Sequence, residues 1–203
     1  MFAGVGGIRL GMESAGFSTV FANDIDQRAK TTYDLNSDCP LTVADLQEFP
    51  IEELPAFDCL TGGFPCQPFS VSGKQLGFQE TRGTLFFRIA ELLNLHRPKT
   101  FLLENVKNLY HHDGGRTFKT ILKVLREDLG YDVHYKVLNS LDFGVPQNRE
   151  RVFIVGFDRK TDFQFPEGRP LTTTVRDLLE DDVDERFYFR EDHKHYGPIS
   201  AAV

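Results

Sequence analysis

Short apolar runs of β-type composition alternate along this chain with segments of helical periodicity, and that alternation restricts the fold more than any other feature. The runs 18–22 (STVFA), 57–60 (FDCL), 99–103 (KTFLL), 132–138 (DVHYKVL) and 151–157 (RVFIVGF) read as strands, with 41–44 (LTVA) a shorter one. Segments 7–15, 26–35, 84–95 and 116–128 read as helices. In the last of these Phe118, Ile121, Leu122 and Leu125 recur at helical spacing, and Gly130 stands where a C-terminal cap glycine is expected. Alternation of this kind builds an α/β domain on a mainly parallel sheet, because parallel neighbours need a crossover and a helix supplies it. The 203 residues suffice for one such domain with a real core. The pattern weakens past about residue 160, so 1–160 is expected to form the α/β domain. Residues 161–203 then form a connecting segment with one short helix near TVRDLLE.

The rest of the composition narrows the class. Hydrophobic residues make up 40% and charged residues 26%, as in ordinary globular domains. No apolar run reaches the length of a membrane span, and Met1 leads into FAGVGG without a basic segment. Cys39, Cys59 and Cys66 are odd in number and form no CxxC, which argues against a disulfide framework or a zinc site and for a reducing cytoplasm. The formal net charge of −7 argues against a nucleic-acid coat protein, although much of the acid lies in one run, DLLEDDVDE at 177–185.

The glycines of FAGVGGIRLG (Gly4, Gly6, Gly7 and Gly11) open an amphipathic helix. Glycine admits positive φ and lets a ligand approach the backbone. Asp24 lies 20 residues after Gly4, at the end of a strand, where an acidic residue grips a ribose hydroxyl in nucleotide-type sites. Asp45, after the next short strand, stands where it can reach an adenine amino group. The competing reading is a tight strand–helix turn that binds nothing. The adjacent pair Gly6-Gly7 departs from the dinucleotide fingerprint and suits a ligand without a pyrophosphate. Strands of such folds run about five residues. Only Met1 and Phe2 precede the glycine turn, so most of a first strand is expected to be missing.

The stretch GGFPCQPFS at 62–70 holds Cys66 between Pro65 and Pro68, directly after a strand and therefore at the carboxyl edge of the sheet, where ligands bind in open α/β folds. A lone cysteine is as readily a small buried hydrophobe as a nucleophile; Cys59, inside a strand, is expected to be the buried and inert kind. The company of Cys66 favours chemistry. Glu104 in LLENV falls just past an apolar strand, where packing explains a carboxylate poorly and acid or hydrogen-bond work explains it well. Arg149 and Arg151 in QNRER precede the strand VFIVGF, and their guanidiniums suit carboxylates, phosphates or base carbonyls. A solvated strand end is the bland alternative for the arginines.

FAGVGG, GGFPCQPFS, ENV and QNRER, in this order and spacing, resemble the C5-cytosine DNA methyltransferases, from Phe2 to about Leu179. The resemblance implies the S-adenosylmethionine-dependent, Rossmann-like methyltransferase fold, a mainly parallel sheet with one antiparallel strand. It implies catalytic roles for Cys66 as nucleophile, Glu104 at the N3 edge of the base, Arg151 at its O2 edge and Arg149 in support. It implies S-adenosylmethionine held by Phe2, Gly4, Gly6, Gly7, Asp24, Ile25, Asp45, Leu46, Pro65 and Leu85. The stretch SGKQLGFQETRGTLFF (72–87) is similar to the family's catalytic loop. There Gln67, Ser70, Ser72, Lys74, Arg82 and Thr84 would contact DNA, and Gly73, Gly77 and Gly83 would serve as hinges. The implied partner is double-stranded DNA whose target cytosine is flipped out, in a restriction–modification setting and a bacterial or phage cytoplasm.

Full-length members continue past QNRER with a target-recognition domain and a late RPLT motif. GRPLTTTVRDLL at 168–179 follows the sheet directly and is not read as that motif. The chain is therefore expected to be either a fragment or the catalytic half of a split enzyme whose second chain carries the recognition domain, and to be inactive or very weak alone. Three rivals are weighed: a tRNA cytosine-5 methyltransferase, a non-catalytic DNA-binding derivative, and a nucleotide-dependent oxidoreductase using Cys66. GGFPCQPFS, which looks like the DNA type, disfavours the first.

Overall fold

The computed structural model describes residues 1–65 and 85–185. Its strands are β1 (Ala22–Asp24), β2 (Leu41–Val43), β3 (Cys59–Gly62), β4 (Thr100–Val106), β5 (Asp132–Asn139) and β6 (Glu150–Phe157). Its helices are α1 (Gly7–Ser14), α2 (Gln27–Leu35), α3 (Leu85–His96) and α4 (Arg116–Lys123). α4 closes with a π turn over Val124–Asp128, and Gly130 follows at φ 72° with the Tyr131 N–H on the Leu125 carbonyl, the glycine-terminated end its sequence announces.

β1 and β2 pair in parallel, and β3, β4, β6 and β5 form a four-stranded sheet in that order. β3 runs parallel to β4, while β6 is antiparallel to both β4 and β5. β6 is therefore the one reversed strand of that sheet, as expected. Between the two sheets lie the first three residues. The Met1 amine donates to the Thr61 carbonyl at 2.8 Å, and the Ala3 N–H donates to the Asn23 carbonyl at 2.9 Å. A slot of about 470 Å³ runs below them, lined by Phe21, Leu54, Phe57 and Leu60 among others.

The core belongs to the larger sheet. Phe101 and Leu103 of β4, Val152 and Ile154 of β6, Ile89, Leu92 and Leu93 of α3 and Ile121 of α4 are all fully buried in one cluster. Period-2 burial along β4 and β6 produces it, one face of each strand turned inward. The registers bring Phe101 opposite Gly156, and a Cβ on Gly156 would lie 2.1 Å from the Phe101 ring. Glycine there makes room for the aromatic.

Several expected boundaries shift. The strand expected at 18–22 pairs only over Ala22–Asp24, because residues before Ala22 border the slot rather than a neighbouring strand. The strand expected at 57–60 forms at Cys59–Gly62, where β4 lies alongside. Glu104, expected just past a strand, lies inside β4, since pairing with β6 extends β4 to Val106. TVRDLLE forms only a single 3-10 turn at Arg176–Leu178, its apolar side chains exposed. No helix among the described residues is long and apolar enough to cross a membrane.

Candidate active site

The carboxyl ends of β1, β2, β3 and β4 converge on one edge. At its first station the glycine loop packs on the carboxylate that ends β1. Asp24 Oδ2 accepts the Gly4 N–H at 2.7 Å, and Oδ1 accepts the Asp26 N–H at 2.9 Å. Phe2, Gly4 and Gly6 all take positive φ, 55°, 53° and 97°. A bulky residue rarely adopts that region; Phe2 does so while packed against the large core, which compensates the strain. The glycines divide the work. A Cβ on Gly6 would press the Tyr33 ring and Arg9 Nε at 3.3 and 3.2 Å, whereas one on Gly4 or Gly7 would meet nothing within 4 Å. Gly6 is thus required by packing, while Gly4 and Gly7 face open space.

Ile25, immediately after Asp24, leaves 65% of its surface in solvent. Asp45 follows β2 in a turn, its Oδ1 accepting the Gln47 N–H at 2.9 Å. Leu46 turns its side chain into the large core, and its carbonyl accepts from Arg88 Nε at 3.1 Å. Whatever Leu46 offers a ligand is therefore main-chain. Open glycines, an exposed isoleucine and a carboxylate with spare acceptor capacity fit a ribose-bearing adenine ligand lying across β1 and β2.

At the second station, cross-strand register brings charges together. Glu104 stands opposite Phe153, and Arg151 lies two residues earlier on β6, on the same face. The two are diagonal neighbours, with Arg151 Nε 3.0 Å from Glu104 Oε1. Arg149, half exposed in the turn before β6, brings Nη2 to 3.9 Å of the same oxygen. The Glu104 side chain is 19% exposed, so this carboxylate stays open to a ligand. A Cβ on Gly63 would lie 3.3 Å from Glu104 Oε2, so glycine at that position lets the exit of β3 pass close to the carboxylate.

Asn105, on the inward face of β4, is 2% exposed. Its Nδ2 donates to the Phe64 carbonyl at 2.7 Å, and its Oδ1 accepts the Val106 N–H at 2.8 Å. Sequence reading passed over this residue. Its signal was present, since Phe101, Leu103 and Asn105 alternate as one face, and an amide on an apolar face must have a partner.

Phe2, Gly4, Gly6, Gly7, Asp24, Ile25, Asp45 and Leu46 thus gather at the β1–β2 end, and Glu104, Arg149 and Arg151 at the β4–β6 end. Pro65 is exposed at the exit of β3, and Leu85 opens α3, half buried against the core. Cys66, Gln67, Ser70, Ser72, Lys74, Arg82 and Thr84, with the glycines between them, lie outside the described residues. The comparison cysteine, Cys59, is half-buried rather than buried, but burial of its sulfur, reinforced by Asp58, pushes its thiol up to about 11. At neutral pH it is a poor nucleophile.

This architecture is shared with solved methyltransferases. The methyltransferase EhMeth of Entamoeba histolytica superposes with a TM-score of 0.71 at 20% identity, over 94% of this chain and 62% of that one. The C-5 cytosine-specific DNA methylase model matches residues 1–198, and the chain belongs to that family. It is 50% identical over 194 residues to the type II methyltransferase M.NgoBI of Neisseria gonorrhoeae, covering 95% of this chain and 60% of the relative. It is 47% identical to M.Bsp6I of Bacillus sp. (strain RFL6), covering 98% and 66%. The chain spans about two thirds or less of the length of these relatives.

Proposed function

We propose that this chain is the catalytic and cofactor-binding portion of a DNA (cytosine-5-)methyltransferase of a restriction–modification system, with S-adenosylmethionine as methyl donor. The observation that carries the reading is the pairing of Glu104 with Arg151, flanked by Arg149, at the same sheet edge as the Asp24-anchored glycine loop. A carboxyl and two guanidiniums at one sheet edge suit the N3–amino and O2 edges of a cytosine, the carboxyl accepting from the amine and, when protonated, donating to N3. The family model's description as a C-5 cytosine-specific DNA methylase supports DNA over RNA as substrate.

Cytosine C5 is a weak nucleophile. In this reading the Cys66 sulfur bonds to C6, and the C5=C6 electron pair makes C5 enamine-like, splitting one hard step into easier ones. Glu104 hydrogen-bonds the exocyclic amine and supplies a proton or hydrogen bond at N3 as charge develops there. Arg151 holds O2 and fixes the ring, while Arg149 neutralises the pocket from its solvent side. The bound cofactor supplies an electrophilic methyl group. C5 then loses its proton to a base, and the S–C6 bond breaks to restore the aromatic ring and the thiolate. Asp24 holds the ribose hydroxyls, and Ile25 covers one face of the adenine. The target base must leave the duplex for this, at about a few kcal/mol. Gln67, Ser70, Ser72, Lys74 and Arg82 are proposed to contact the DNA around it. Residues 161–203 are proposed to lead toward a recognition domain, which a second chain could carry.

The test is a duplex bearing 5-fluorocytosine, in which fluorine blocks the final proton loss. With S-adenosylmethionine present, mass spectrometry should find a covalent adduct on Cys66 that Cys66→Ala abolishes. An adduct on Cys59 or Cys39 instead would overturn Cys66 as this chain's nucleophile, whereas no adduct from a chain that binds the cofactor would mark it as a fragment or half-enzyme.

A further inference from the structure

We infer that Asn105 is a positioning residue: its buried carboxamide fixes the course of the chain from the end of β3 to Pro65, directly before the proposed nucleophile. The catalytic consequence rests on the proposed role of Cys66; the positioning itself rests on geometry alone.

β3 ends at Gly62, and Phe64 is the second residue beyond it. Outside a strand, a backbone carbonyl has no ladder partner, and a buried one without a hydrogen bond is costly. Phe64 is 4% exposed, with its ring on Phe86 of α3 at 5.7 Å between centroids. Its carbonyl is met by Asn105 Nδ2 from the neighbouring strand at 2.7 Å. The donor cannot drift, because Asn105 Oδ1 is held by the Val106 N–H and the side chain is sealed in the core. Both ends of this amide are thus used, one on β4 and one on the segment entering Pro65-Cys66. The strand that carries Glu104 thus also anchors the exit of β3 at Phe64, two residues before Cys66 in the chain. Alternation along β4 produces this, Glu104 facing the site and Asn105 facing the core.

The decisive variant is Asn105→Asp. It keeps the acceptor for Val106 but sets a carboxylate against the Phe64 carbonyl. Burial raises the pKa of such a carboxyl, and its protonated form can donate again. Amide hydrogen exchange, compared with wild type at the same pH, is expected to rise about tenfold or more in the segment from Leu60 to Cys66 at pH 8. Exchange in α3, β5 and β6 should stay unchanged, and protection should return as the pH is lowered. Asn105→Ser, which keeps a shorter donor, serves as a second variant should the aspartate fail to fold. Adduct formation on 5-fluorocytosine DNA should slow by about tenfold or more, with cofactor affinity unchanged.

Exchange that rises across the whole core, or is unaltered between Leu60 and Cys66, overturns the inference. The change in exchange with no adduct from the wild-type chain would instead leave the positioning standing and withdraw its catalytic consequence for this chain alone.

Discussion

The two halves of the molecule that meet at the site are built differently. β3 to β6 with α3 and α4 enclose a continuous apolar cluster, whereas the buried cluster beside β1 and β2 consists of Ala22, Tyr33 and Leu41. α1 buries none of its residues. Polar ties hold the smaller half. Asn23, 1% exposed, donates to the carbonyls of Thr42 and Ala44, and Lys30 donates to the Leu41 carbonyl. Arg9 pairs with Glu13 and lies over the Tyr33 ring. The proposed chemistry thus sits on the densely packed half, where geometry must hold to fractions of an ångström. The proposed cofactor site sits on the lightly packed half, where a bound ligand adds its own contacts.

The largest effect expected from this contrast is that of Gly156→Ala. Its Cβ would overlap the Phe101 ring inside the sheet, and the loss should reach at least about 3 kcal/mol, the upper range of overpacking, measured by urea denaturation. The paired truncations Leu103→Ala and Leu41→Ala test the contrast directly. The first should cost about 3 kcal/mol and the second about 2, since a thin cluster collapses into the gap more readily; equal costs would break the comparison.

Asn23→Ala leaves two strand-edge carbonyls without their donor and should cost about 1–3 kcal/mol. Hydrogen exchange should then rise around β1 and β2 and not in β4. Asp24→Ala removes two hydrogen bonds to main-chain N–H groups and should likewise cost about 1–3 kcal/mol. Its affinity for S-adenosylhomocysteine, by calorimetry, should nevertheless fall tenfold or more. A large loss of stability with little loss of affinity would assign Asp24 to the fold rather than to the ligand.

Element types, their order and the candidate site residues are legible in the chain. Period-2 runs and helical spacing reflect which side chains leave water, and glycine and proline mark turns by their own conformational limits. The acidic residue after β1, the carboxylate of LLENV and the arginines of QNRER could be picked out because packing explains them poorly. Strand ends were misplaced where the neighbouring strand decides how far pairing runs, as with Glu104 inside β4 and the short pairing of β1. TVRDLLE has helical spacing but leaves Leu178 and Leu179 exposed, and an amphipathic pattern without a partner yields only a turn.

By itself, then, the sequence determined the α/β class through its periodicity and the methyltransferase family through the resemblance of its motifs, and it singled out the residues proposed to carry the chemistry, because periodicity and residue type are local properties. Tertiary structure alone decided that Glu104 meets Arg151 on a diagonal, that Gly156 yields its space to Phe101, and that Asn105 reaches 41 residues back to Phe64. Each depends on strand register, and register is set by how distant segments pack together.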